Sequence, residues 1–452
     1  MSGRRLVLQR RVLDPVGNIT PVRCFARGDY HVDVTEFERV SESFKAFHES
    51  FSPFFGRKQW RERSRDYLNA ILVQNSERRN AENLAEVVPA SARVLQRFLT
   101  EARWNDNAVV EQLQAYVAPR LNHWDAVWAL DDSGFPKQGN KSAGVGRQYC
   151  GQLGKIANCQ CGVFLALVGP RGRMLVDKRL YLPQAWIDDS SRCEEADIPA
   201  DARAYKSKTD LALELLAQAK TWSHLTARWV TGDDLYGNSP GFRDGVAKLG
   251  FLSMLEVQSK TPTWPIDTTW EKKPNPPTGR PTKAKPIGGQ RLTVKERAEA
   301  LNADAWQVLT VAEGAQGPRA YQFAFERYRD SREHVPGVVV WLVHKKNLDG
   351  TEPRYYFSNA PEGTPEQELA RVACARWPIE TEFELTKTSL GLGDYEVRSW
   401  PGWHHHMAMC FLANAFLLTL QQEWGEKDAG DHPAAGVPDR VRVLATQALR
   451  TA

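Results

Sequence analysis

The chemistry this 452-residue chain can perform is concentrated in three acidic positions, two of which are doubled. Asp125-Ala-Val-Trp-Ala-Leu-Asp-Asp-Ser-Gly134 is a short apolar run closed by an Asp pair, and Ala227-Arg-Trp-Val-Thr-Gly-Asp-Asp-Leu-Tyr-Gly237 is a second. Read as strands, both runs put their Asp pairs, Asp131/Asp132 and Asp233/Asp234, at strand termini, where ligands and metals gather in α/β sheets. The third acid lies in residues 371–392, RVACARWPIETEFELTKTSLGL, which read as one long helix or as two broken at Pro378. There Arg376, Glu380 and Lys387 stand at offsets of four and seven, which stack on one helix face. A solvated helix also carries mixed charge, so the weight of this reading comes from the two acid-ended strands upstream.

Carboxylates brought together repel. At about 4 Å each pair costs on the order of 1 kcal/mol in bulk water, and about four times that at an effective dielectric near 20. A fold tolerates such a cluster when one member is protonated or when divalent cations neutralise it. Oxygen-only ligands select Mg²⁺, with Mn²⁺ as a substitute. Two such ions about 3.5–4 Å apart can activate a water or a 3′-hydroxyl and stabilise the leaving oxygen of a phosphodiester. Phosphoryl transfer asks little more of a protein than positioning and charge. Arg376 and Lys387 would then hold phosphates, as would Lys137 in the loop after the first strand. Glu382 and Glu384 read as solvated or paired. His404-His-His406 sits on a helix whose consecutive positions diverge by about 100°, which suits structural or phosphate-contacting roles better than a metal site. Cys159 and Cys161 fall on one face of a strand and read as packed side chains.

The elements that must position these groups follow from periodicity. Residues 1–33 form a basic arm expected to be irregular. Residues 34–121 show helical spacing, with Arg57, Lys58, Arg61, Arg63 and Arg65 crowded into nine positions, the pattern of a helical DNA-binding domain or of a solvated basic cap. From about His123 the period shifts to strands. Three strands, a helix at 208–220, a strand, a helix capped by Ser239 with Pro240 at its first position, and a fifth strand succeed one another. That order, with acids closing the first and fourth strands, is the topology expected of an α/β, ribonuclease-H-like catalytic core, here residues 122–256 and 336–424. Residues 257–335 read as a β-rich insertion that opens with a Pro-, Lys- and Gly-rich basic loop. Residues 425–452 read as a tail.

Composition bounds the class. Hydrophobic residues make up 42% and charged residues 25%, ordinary for a soluble globular protein, and the net charge of +4 is no polycation's. The apolar stretch 407–420 is too short to span a bilayer, and the N-terminus carries no apolar signal segment. Seven cysteines without a CxxC pair point to a reducing cytosol and away from a zinc ribbon.

Three motifs carry a resemblance: Leu130-Asp-Asp-Ser-Gly-Phe-Pro-Lys-Gln-Gly139, Val230-Thr-Gly-Asp-Asp-Leu-Tyr-Gly-Asn238 and Arg376-Trp-Pro-Ile-Glu-Thr-Glu-Phe-Glu-Leu-Thr-Lys387. With them the chain resembles bacterial insertion-sequence transposases of the DDE superfamily, in the branch with a Tyr-Arg-Glu-Lys final motif and a β insertion before the Glu. The resemblance implies Asp132, which precedes a small hydroxyl residue, Asp233, in an Asp-x-x-Tyr-Gly register, and Glu380 as catalytic and metal-binding acids. It places the motif's Arg and Lys on Arg376 and Lys387. The motif's Tyr would fall on Ala373, so that part is missing. The 147 positions from Asp233 to Glu380, against 101 from Asp132 to Asp233, leave room for the insertion. The function implied is a Mg²⁺-dependent DNA transposase that cuts the ends of its mobile element and joins them to target DNA. It would act on double-stranded DNA as a homo-oligomer, in the cytoplasm and on the nucleoid, without membrane association. The rival readings are a nuclease or resolvase without strand transfer and a domesticated, non-catalytic DNA-binding protein.

Overall fold

The computed structural model describes residues 34–428, except 272, 281, 283, 284, 315 and 316, together with the backbone of 5–13 and 19–27 and residues 446 and 449. Most of the expected tail lies outside the described residues. In chain order the strands used below are β1 (Arg5–Leu13), β2 (Ile19–Arg27), β3 (Val127–Pro136), β4 (Gly146–Cys150), β5 (Lys155–Gly169), β6 (Gly172–Tyr181), β7 (Trp229–Gly232), β8 (Leu252–Val257), β9 (Gln307–Gly314), β10 (Gly317–Arg332), β11 (Val335–Lys346) and β12 (Arg354–Ser358). The helices are α1 (Val34–Phe51), α2 (Lys58–Val73), α3 (Ala92–Thr100), α4 (Asp106–Leu121), α5 (Lys208–Trp222), α6 (Pro240–Lys248), α7 (Glu366–Ala373), α8 (Pro378–Leu390) and α9 (Trp400–Asp428).

The chain divides into two compact units: residues 1–113, 196–198 and 384–452, and residues 114–195 and 199–383. In the first, the arm expected to be irregular contains an antiparallel pair, β1 with β2, in register from Arg5↔Arg27 to Leu13↔Ile19. Helices make up most of its other described residues. Phe44 of α1 meets Phe416 of α9 edge-on, with ring centroids 5.4 Å apart. His405 is buried, with its Nδ1 2.7 Å from the Leu99 carbonyl oxygen and its Nε2 3.0 Å from that of Trp104. His406 Nδ1 lies 2.9 Å from the Tyr67 hydroxyl. The triple histidine therefore ties α9 to the N-terminal helices. α9 falls in the helical unit, and its side chains from Trp403 to Phe416 are buried.

The second unit is built on a twelve-stranded sheet. At its centre β3, β7 and β8 are parallel, and β5 and β6 extend it antiparallel from β3. The spatial order β6-β5-β3-β7-β8 puts the first strand of the series in the middle, flanked by the second and the fourth. The four residues of β7 are all buried, as a strand between parallel partners requires. Ser207 closes a capping box with Asp210 to start α5. Ser239 accepts the Phe242 N–H with Pro240 behind it to start α6, as the spacing predicts. Within the expected insertion, Thr269–Glu271 and Lys285–Ile287 form a two-stranded sheet of their own, and the longer strands join the central sheet. β12 pairs with β8, β11 with β12, and β10 with β11, so they prolong the central sheet, and the boundary expected near 335 falls inside the β10–β11 hairpin. The basic stretch expected as a loop holds short strands, including Pro262–Trp264 and Leu292–Thr293.

Candidate active site

All the groups described next, from Asp131 to Glu380, lie within the sheet unit. Asp131 and Asp132 do not end their strand. β3 continues through Pro136 because β5 supplies its backbone partners, with Asp131 opposite Phe164 and Asp132 opposite Val163. What stops is the parallel pairing to β7, at Ala129↔Thr231. The acids thus stand just beyond the carboxyl end of the parallel pair, the place a ligand site is expected, on a strand that runs past it.

Consecutive residues on a strand face opposite sides of the sheet, and this separates the pair. Asp131 Oδ2 lies 3.4 Å from Arg376 Nη1. Asp132 Oδ2 instead accepts from Lys208 Nζ of α5 at 2.8 Å and from the Cys161 thiol of β5 at 3.1 Å. Burial opposes the charge on Lys208, but Cys161 and Asp132 outweigh it and hold the ammonium above its usual range. Sequence reasoning missed both partners of Asp132. The local signal for Cys161 was present, as a strand position packed inward, but its opposite residue was not readable.

Asp233 follows β7 directly and caps the single turn Asp234–Gly237, its Oδ1 accepting the Leu235 N–H at 3.1 Å. That turn requires its glycine: a Cβ on Gly237 would land on the carbonyl oxygen of Glu256. Tyr236 packs inside the turn, and its buried hydroxyl has no hydrogen-bond partner among the described residues. Burial pushes the Asp131 carboxyl up to about 7, with Arg376 opposing and the charges of Asp233 and Asp132 adding to the rise. Burial, then the charge of Asp132, pushes Asp233 up to about 6.

The final acid arrives on two helices. α7 ends at Ala373 and α8 begins with Pro378 as its first residue, so Arg376 sits in the turn between them. Its guanidinium gathers carboxylates from three elements: Nη2 is 2.7 Å from Glu380 Oε1 and 3.9 Å from Glu256 Oε2, and Nη1 faces Asp131. Glu256, on β8, is an acid the sequence reading did not single out. Its other oxygen lies 2.6 Å from Arg354 Nη1. Among the described residues no three His, Cys, Asp or Glu side chains stand where they could hold a metal ion together. The donor set is all oxygen, but as placed it is arranged round Arg376 rather than round a common centre.

The remaining expected contacts belong to both units. Lys137 directly follows β3, its N–H donating to the Asn158 carbonyl at 3.0 Å. Arg57, Lys58 and Arg61 are exposed at the start of α2 in the helical unit, where Arg57 lies over the Trp60 ring at 5.8 Å and Arg61 Nε donates to the Gly56 carbonyl at 2.7 Å. Lys387 occupies the last turn of α8, also in the helical unit.

No curated protein matches the chain. A cryo-EM structure of the piggyBac transposase synaptic complex with hairpin DNA is similar at 11% identity and a TM-score of 0.41, covering 92% of this chain and 81% of that one. A family model described as DDE superfamily endonuclease matches residues 50–318, a stretch that holds Asp131, Asp132 and Asp233 and stops short of Glu380. That match spans more than half of the chain, which therefore belongs to the DDE superfamily endonuclease family.

Proposed function

We propose that this endonuclease-family protein is a DNA transposase that cuts phosphodiesters at the ends of a mobile element and joins them to target DNA. The observation that carries the reading is the meeting of Asp131, Glu256 and Glu380 on Arg376, with Asp233 close enough to raise the carboxyl of Asp131, at the carboxyl end of a parallel strand pair. We read the β6-β5-β3-β7-β8 order as a ribonuclease-H-like core whose sheet is prolonged by the strands of residues 262–358.

The catalytic acids on this reading are Asp131, Asp233 and Glu380. Asp131 takes the role first expected of Asp132, because Asp131 meets the Arg376 guanidinium that also holds Glu380, while Asp132 is engaged by Lys208 and Cys161. The family's dependence on a divalent cation is met by Mg²⁺, the ion that hard oxygen donors select, with Mn²⁺ as substitute. The exposed Arg57, Lys58 and Arg61 and the half-buried Lys137 and Lys387 supply phosphate contacts to double-stranded DNA, a sequence-independent role open to cationic side chains. Two element ends must be held together for joining, so the working form is a homo-oligomer on DNA. None of the described helices is long and apolar enough to cross a membrane.

The deciding experiment incubates the protein with labelled element-end DNA, target DNA and Mg²⁺, beside Glu380→Gln. Nicking and joined products from the parent, with end binding but no nicking from the variant, are expected. Nicking without joined products supports an endonuclease without strand transfer, and equal nicking by both proteins removes Glu380 from the chemistry.

A further inference from the structure

The carboxylates that the proposed reading assigns to a dication already hold a cation of the protein's own. Arg376 is only 18% exposed and stands within 4 Å of Glu380, Asp131 and Glu256, which arrive from α8, β3 and β8. Its place in the turn between α7 and α8 is fixed from both sides, by the Ala373 end of one helix and the Pro378 start of the other. Glu256 is engaged separately by Arg354, at 2.6 Å, and Asp132 by Lys208, at 2.8 Å. Glu380, by contrast, is 46% exposed, and its first-turn position leaves it open to solvent on the side away from Arg376. Among the members of the cluster it is the one whose side chain can swing without disturbing the sheet.

Resting on the reading of these acids as a dication site, we propose that Arg376 is an internal competitor of the metal. Its guanidinium holds Glu380 and Asp131 apart in the metal-free protein, and loading of a divalent cation requires the Arg376–Glu380 contact to open. A guanidinium and a dication at the same carboxylate oxygens repel one another, at a cost that rises where burial lowers the local dielectric, as at Asp131 and Arg376. The freed guanidinium remains beside the site, where planar, two-pronged donors suit a phosphate. A site built in this way stays charge-balanced without metal and opens only when a stronger cation arrives.

The test is Mn²⁺ binding to the full-length protein, read from the free-ion electron paramagnetic resonance signal, with circular dichroism of each variant as the folding check. Arg376→Gln removes the competitor and is expected to bind Mn²⁺ on the order of tenfold more tightly than the parent. Arg376→Lys keeps one charge but cannot span three carboxylates, and is expected to fall between the two. Asp131→Asn is expected to lose the binding. A folded Arg376→Gln that binds Mn²⁺ no more tightly than the parent overturns the inference and leaves the dication reading standing. Should that variant not fold, Arg376→Lys decides on the same criterion. An Asp131→Asn protein that binds like the parent puts the ion elsewhere and overturns the inference. Absence of Mn²⁺ binding by the folded parent and by every variant overturns the dication reading itself.

Discussion

The turn that delivers Asp233 depends on a buried ion pair, and breaking it has a calculable cost. Arg243 of α6 is 8% exposed, and Asp330 of β10 is fully buried, with Nη2 and Oδ2 2.5 Å apart. Arg243 also donates to the Gly237 carbonyl, at the end of the Asp233 turn. Burial lowers the guanidinium's affinity for its proton, and Asp330 works against that loss. Asp330→Ala would leave a desolvated guanidinium with no carboxylate, a change that costs about 3–5 kcal/mol. Arg332, 3.0 Å from the same Asp330, keeps its second partner, Asp244, so its share is small. For a unit of this size the expected fall in Tm is roughly 6–10 °C. Differential scanning calorimetry of the parent, Asp330→Ala and the paired Arg243→Met/Asp330→Leu variant measures it. The paired variant should regain most of the loss, because two apolar groups leave no charge stranded. A drop below about 2 °C in Asp330→Ala, or a paired variant as unstable as the single one, would refute the reasoning.

Three further outcomes are expected. Asp131→Asn should abolish nicking of element-end DNA, while Asp132→Asn should lower it and leave residual cutting, a ranking that gel assays at saturating Mg²⁺ read directly. The reverse ranking returns the catalytic role to Asp132. Gly237→Ala, which drives a methyl into the Glu256 carbonyl, should cost on the order of 2 kcal/mol or more in urea unfolding and reduce nicking by moving Asp233; a neutral substitution there contradicts the close approach. His48 is buried against Ser64, and burial, helped by the charge of Arg65, lowers it from 6.5 to about 4. The unfolded chain therefore takes up the proton first, so this contribution to stability is complete above about pH 6.5 and is lost as pH falls toward 4, up to about 3 kcal/mol. His48→Gln should flatten stability between pH 7 and pH 5, and an unchanged slope would sink the assignment.

Much of the scaffold was legible because its signals are local. The helix at 208–220, the Ser239 cap of α6 and the apolar run of β7 each depend on neighbours within a few positions, and all of them appear where spacing puts them; of the two readings open at Pro378, the structure has the broken one. The site was legible only as a set of acids. An Asp pair reads as a strand end because charge in a strand is costly, yet β5 pairs with β3 beyond the acids and carries the strand to Pro136. Which member of the pair meets Arg376 depends on strand parity relative to a turn more than two hundred residues later, and no local pattern encodes that. Glu256 was hidden for the same reason: in Leu-Ser-Met-Leu-Glu-Val it is an ordinary outward residue of a strand, and only the arrival of Arg354 and Arg376 gives it partners. Arg376 shows the converse. Its type and spacing suggested a free hand for phosphate, whereas its surroundings show a guanidinium already committed to three carboxylates. A charged residue's type states what it can bind; the charges that other elements bring to it decide what it must first release.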